Sequence, residues 1–169
     1  MGTKRIGLAR VEALIENLSR DLALGSGTVL HGFYNKVESI TANQALVAAD
    51  SGKVFLVNPA ATTEIDLPTT LVSGWHCTII LTEDTDGSDQ GMGGIVNIDF
   101  GSGSDVVGIL VETDGNAGGY ADDGKDYIAC AATASPGDKF EIFTDGTRWY
   151  VHGIVKDAGE TPFATDAAS

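Results

Sequence analysis

Three histidines, two cysteines and a surplus of carboxylates are the groups through which this chain could do chemistry. A cysteine activated by a histidine, with a carboxylate orienting the ring, would make a nucleophile. Cys77 and Cys130 are the candidate attacking groups, and His31, His76 and His152 the candidate bases. Each histidine falls in a segment that reads as a strand. In Trp75-His76-Cys77-Thr78-Ile79, neighbouring side chains of a strand leave on opposite faces, so His76 and Cys77 cannot act together. No nucleophile signature surrounds either cysteine. Two cysteines do not make a disulfide framework, and no C-x-x-C metal spacing occurs. The expectation is two buried, reduced thiols.

The carboxylates concentrate in two loops. Glu83, Asp84, Asp86 and Asp89 lie in EDTDGSDQGMGG, and Asp122, Asp123 and Asp126 lie in YADDGKD. Clustered oxygen ligands suit Ca²⁺. The calcium-loop spacing fails, because Gly87 comes too soon after Asp84 to occupy the glycine position of such a loop. Both loops are expected to be solvated acidic turns, with no metal. The glycines of GMGG (91–94) and GNAGG (115–119) form neither a dinucleotide fingerprint nor a P-loop. Carboxylates are so abundant that no pair stands out for glycoside hydrolysis. Trp75, Trp149, Tyr150, Tyr34 and Tyr120 could stack on sugars. Trp149 and Tyr150 are adjacent in a strand, so at most one belongs to a binding face. The residues thus predict a non-enzyme with no catalytic, cofactor-binding or metal-binding set.

The net charge of −14 repels a phosphate backbone and argues against a nucleic-acid partner. It also opposes random self-association, so any assembly must come from a specific apolar patch. With 169 residues the chain is one domain's worth, and no apolar run is long enough to span a membrane. The charged stretch VEALIENLSRDL rules out a signal-peptide reading of the N-terminus. A soluble product made and used in the cytoplasm, or released by lysis, is expected.

These residues must be positioned by two kinds of element. Residues 4–24 read as an amphipathic helix, with Leu8, Val11, Ile15, Leu18 and Leu22 at 3–4 spacing and Leu14 widening the stripe. Gly25-Ser26-Gly27 ends it. The stripe is the expected assembly interface, and Lys4, Arg5 and Arg10 form a possible docking arm. Residues 1–25 are therefore read as an assembly or docking helix, 28–156 as a β domain and 157–169 as a polar tail. Strand candidates are 28–34, 36–41, 53–58, 63–67, 75–82, 94–100, 106–112, 126–133, 139–144 and 147–155. Short strands with Gly, Asp, Asn or Pro between them predict a mainly β fold: an antiparallel sandwich or jelly roll behind one N-terminal helix. Asp145-Gly146 predicts a tight type I′ hairpin.

The segment ALVAADSGKVFLVNPAATTEIDLPTTLVSGWHCTII resembles a pattern common in tailed-phage virion proteins. The marks are Asp50-Ser51-Gly52-Lys53, Leu67-Pro68 and Gly74-Trp75. TDGTRWYVHG resembles the closing hairpin of the same proteins, and the opening resembles small structural proteins of marine phages. The resemblance implies a virion structural protein on the capsid surface: a capsid decoration or head-fibre protein, with the major capsid protein as partner. A homotrimer is favoured, because the wide helix stripe suits more than two helices and such proteins commonly sit on three-fold axes. The alternatives are a receptor- or glycan-binding module of a tail fibre and, more remotely, a cell-wall hydrolase.

Overall fold

The computed structural model describes residues 35–59, 61–82, 94–101, 105–113, 118–121, 124–159 and 161–165. The expected helix with Leu8, Val11, Leu14, Ile15, Leu18 and Leu22, the arm Lys4, Arg5 and Arg10, and the strand 28–34 lie outside the described residues. So do the acidic loop 83–89, and Asp122 and Asp123 of the second loop. Asn35–Ser169 forms one unit.

That unit is mainly β. Its described strands are β1 (Val37–Ile40), β2 (Gln44–Ala45), β3 (Val54–Val57), β4 (Thr63–Asp66), β5 (His76–Leu81) and β6 (Val96–Asp99), then β7 (Val106–Glu112), β8 (Tyr120–Ala121), β9 (Tyr127–Cys130), β10 (Lys139–Thr144), β11 (Trp149–Val155) and β12 (Phe163–Ala164). A seven-stranded sheet has the order β1-β3-β5-β10-β11-β7-β8, and a five-stranded sheet the order β12-β9-β6-β4-β2. Both sheets are mixed.

The mixing corrects the antiparallel expectation. The first six strands alternate between the sheets. Each odd strand lands parallel beside the odd strand before it, and each even strand does likewise. A parallel neighbour cannot be reached by a tight turn. Here the crossover is a strand of the opposite sheet, so the chain winds as a coil. The β7–β11 pairing is also parallel. Antiparallel pairing enters where β10 slots between β5 and β11, where β9 flanks β6, and in the short pairings of β8 and β12.

Alternation drives the burial in the larger sheet, while β6 and β9 of the smaller one each bury three successive residues. Phe55 and Val57, Cys77, Ile79 and Leu81, Phe140 and Ile142, and Trp149, Val151 and Val155 point inward from the larger sheet. Ile65, Val96, Ile98, Ile128 and Cys130 point inward from the smaller one, and both sets join one core. Trp149 packs edge-on against Trp75 with ring centroids 5.5 Å apart, and against Phe100 at 6.0 Å. These geometries suit the ring quadrupoles.

The three marks of the resemblance act as structural staples. The Asp50 carboxylate accepts the Val47 N–H at 2.7 Å and an Nζ–H of Lys53 at 2.5 Å. Lys53 also reaches Glu38 at 3.0 Å on β1. Gly52 takes φ +82° and donates its N–H to the His76 carbonyl at 2.7 Å, tying the turn to β5. Leu67 is buried, and Gly74 takes φ +88° so that Trp75 can turn inward and donate its indole N–H to the Val47 carbonyl at 3.2 Å.

Two local expectations change. Thr144 pairs with Trp149, so the β10–β11 loop has four residues where a type I′ turn has two. Only Gly146 adopts positive φ there, at +95°. The Asp145 carboxylate accepts the N–H groups of Thr147 at 2.7 Å and Arg148 at 2.9 Å, which stabilises the longer loop. Second, the segment read as a polar tail carries β12. Phe163 and Thr161 are buried, and the Ala129 and Asp126 N–H groups donate to the carbonyls of Pro162 and Ala164.

Candidate interaction surface

The outward faces of the two sheets differ in kind. On the larger sheet, the register lines side chains into rows across β5, β10, β11 and β7. One row is Ile80, Lys139, Ile154 and Val111; the next is Thr78, Glu141, His152 and Ile109; the third is His76, Phe143, Tyr150 and Val107. Val54 and Leu56 of β3 and Val37 of β1 extend the same face. Ile109, Val111, Phe143 and Ile154 are 50%, 45%, 46% and 48% exposed, which is unusual for large apolar side chains standing together.

The aromatic part of this face is ordered by contacts. Phe143 and Tyr150 stack with centroids 5.0 Å apart and planes 13° from parallel. The Tyr150 hydroxyl donates to the Asp145 carboxylate at 3.0 Å, which fixes the ring edge toward the β10–β11 loop. That hydrogen bond holds the Tyr150 hydroxyl above its usual pKa, while the Arg148 and Thr147 amides hold Asp145 below its own. A shallow depression lies between Val107, Ile109, Phe143, Tyr150 and His152.

The only charged side chains in those rows are Lys139 and Glu141, paired at 2.7 Å on the central strand β10. The face is thus close to neutral on a chain of net charge −14.

The opposite sheet shows the reverse. Asp66 and Asp99 are direct partners in register, and Glu64 lies two residues before Asp66. Carboxylate oxygens of the three come within 4.8 Å of one another, which is the spacing of a hard-cation cluster. Asp66 is exposed, and Asp99 also accepts the Gly101 N–H at 2.7 Å. Sequence reading missed this trio, because its members come from two strands that are neighbours only through the coil. It searched the acidic loops instead.

The cysteine expectation agrees with the structure: both thiols are free and buried. Burial pushes the Cys77 thiol up to about 12, with Asp50 adding to the rise, and raises Cys130 as well. Neither forms a thiolate near neutral pH. His76 is exposed while Cys77 is buried, as the strand alternation requires. Among the described residues no helix is long and apolar enough to cross a membrane. Trp75 and Trp149, offered above as sugar-stacking residues, are core residues, and of the adjacent pair only Tyr150 belongs to an outer face. No protein-family model matches the chain, and no curated protein matches it.

Proposed function

We propose that this chain is a non-enzymatic assembly protein of a tailed-phage particle, a capsid decoration or head-fibre protein that uses one sheet face as its contact surface. The observation that carries the reading is the exposed apolar face of Ile109, Val111, Phe143 and Ile154 on a strongly acidic protein. Such a patch needs a partner surface, and the rest of the charge limits which contacts form. The two sheets are read as a sandwich whose neutral face docks and whose acidic face stays in water. The staples at Asp50-Lys53 and Gly74-Trp75 lie in the segment that carries the resemblance to virion proteins. The role on the capsid, the major capsid protein as partner and the favoured trimer rest on that likeness. Negative-stain micrographs and copy number in purified particles test the proposal. Surface density present with the protein, absent without it, and hundreds of copies per particle are expected. Absence from purified particles would sink it.

A second reading, a glycan-binding tail-fibre module, is favoured by the Phe143–Tyr150 stack, since exposed rings bind the apolar faces of sugars. A glycan array with Tyr150→Ala as control distinguishes it, as does a copy number in the tens.

A further inference from the structure

We infer that the outward face of the seven-stranded sheet is a contact between two copies of this chain, packed face to face about a two-fold axis. This deepens the reading above by naming the occupant of the face. The argument is charge complementarity of the face with itself. Lys139 and Glu141 stand two residues apart on β10, the middle strand of the seven. A two-fold axis lying in the contact plane, across the strands and between these two positions, sets Lys139 of one copy over Glu141 of the other, and the reverse. A closed two-fold contact of this kind needs a patch that matches itself.

The apolar neighbours obey the same operation. The row of Ile154 and Val111 falls over the row of His152 and Ile109 of the second copy, so Val111 meets Ile109 and Ile154 meets the His152 ring. A foreign partner would need to be as apolar and as neutral as this face. A second copy is so by construction, and it meets the sheet on a face whose charged side chains are one Lys139–Glu141 pair. The matched area is small. Two facing rows about 6.7 Å apart, across six strands spaced about 4.8 Å apart, give a flat footprint of roughly 400 Å². Standard interfaces bury about 800 Å² on each partner, so the contact is a weak, concentration-dependent one.

The test is sedimentation equilibrium of the full chain from micromolar to millimolar concentration. It compares wild type, Ile109→Glu with Ile154→Glu, Lys139→Glu, and the swap of Lys139→Glu with Glu141→Lys. All substitutions are outward, and circular dichroism checks each fold. Wild type is expected to gain mass with concentration. The double glutamate variant loses this, and Lys139→Glu weakens it at least about tenfold by setting like charges across the axis. The swapped variant regains it, because a swapped pair is again complementary to itself.

Association unchanged by the two glutamates would overturn the inference. So would a swap that stays as weak as Lys139→Glu. A wild type that shows no gain in mass yet still decorates particles would also overturn it. That result would assign the face to a different virion component and leave the proposed function standing. A chain that associates as expected but is absent from particles would do the opposite.

Discussion

Asp50 shows how one carboxylate can hold a coil together. Burial alone would raise its pKa. The Lys53 ammonium and the Val47 N–H outweigh that and hold it below the usual carboxylate value. A group whose folded pKa is depressed lends stability above its unfolded pKa, and the contribution disappears as pH falls through the folded value. The wild type should therefore lose melting temperature as pH drops below about 3.9, the unfolded aspartate value. Asp50→Asn keeps an oxygen for the Val47 N–H but removes the charge facing Lys53. It should melt lower than wild type at neutral pH, and the gap should close in acid. Asp50→Ala loses the Val47 hydrogen bond as well and should cost about 0.5–1.5 kcal/mol more in urea unfolding, the net range for one hydrogen bond. A gap between wild type and Asp50→Asn that is constant from neutral to acid pH would show that the ion pair contributes nothing. The same residue explains why the turns were legible: Asp50, Gly52, Lys53, Gly74 and Trp75 are fixed by turn geometry and local hydrogen bonds, and such local demands are written in sequence.

At the scale of elements, strand positions were legible and strand partners were not. The expected 106–112 and 139–144 match β7 and β10, because alternation of apolar and polar side chains is a local property. β2, β8 and β12, two residues each, are too short to show a period. Alternation reads the same in parallel and antiparallel sheets, so nothing local announced that β1, β3 and β5 run in one direction. The outer apolar face escaped notice for a related reason. Its members alternate with core residues on separate strands, and only the register places Val111 beside Ile154 and Ile109 beside His152. The coil also imposes close approaches that sequence does not reveal. A methyl group on Gly94 would stand 2.3 Å from the Ala61 carbonyl oxygen, beside the point where Thr63 donates its N–H to Ile95. Backbone cannot yield there as a side-chain tip would. Gly94→Ala should destabilise by about 1–3 kcal/mol, the range for overpacking, measured by urea unfolding. A variant as stable as wild type would mean that the β4–β6 crossover does not pass so close.

For the whole molecule, the decisive competition is between one apolar face and the total charge. Each added copy brings another −14, spread over loops, the acidic sheet face and the C-terminal segment. At low ionic strength this repulsion reaches across the width of the protein, with a screening length of about 30 Å at 0.01 M salt. At 0.15 M that length falls to about 8 Å, shorter than most distances between the acidic groups of two docked copies. The apolar contact does not weaken with added salt, and the face itself carries only the Lys139–Glu141 pair. Raising ionic strength should therefore tighten assembly, and light scattering should show mass growing with salt at fixed protein concentration. The mass reached distinguishes the geometries. Two chains point to the sheet face alone. Three point to the stripe of Leu8, Val11, Leu14, Ile15, Leu18 and Leu22 as the stronger seam, and Ile15→Asp with Leu18→Asp should then return the assembly to smaller species. Mass that falls as salt rises would reverse the argument, since it would mean that attraction between charges, and not burial of Ile109, Val111 and Ile154, holds the copies together.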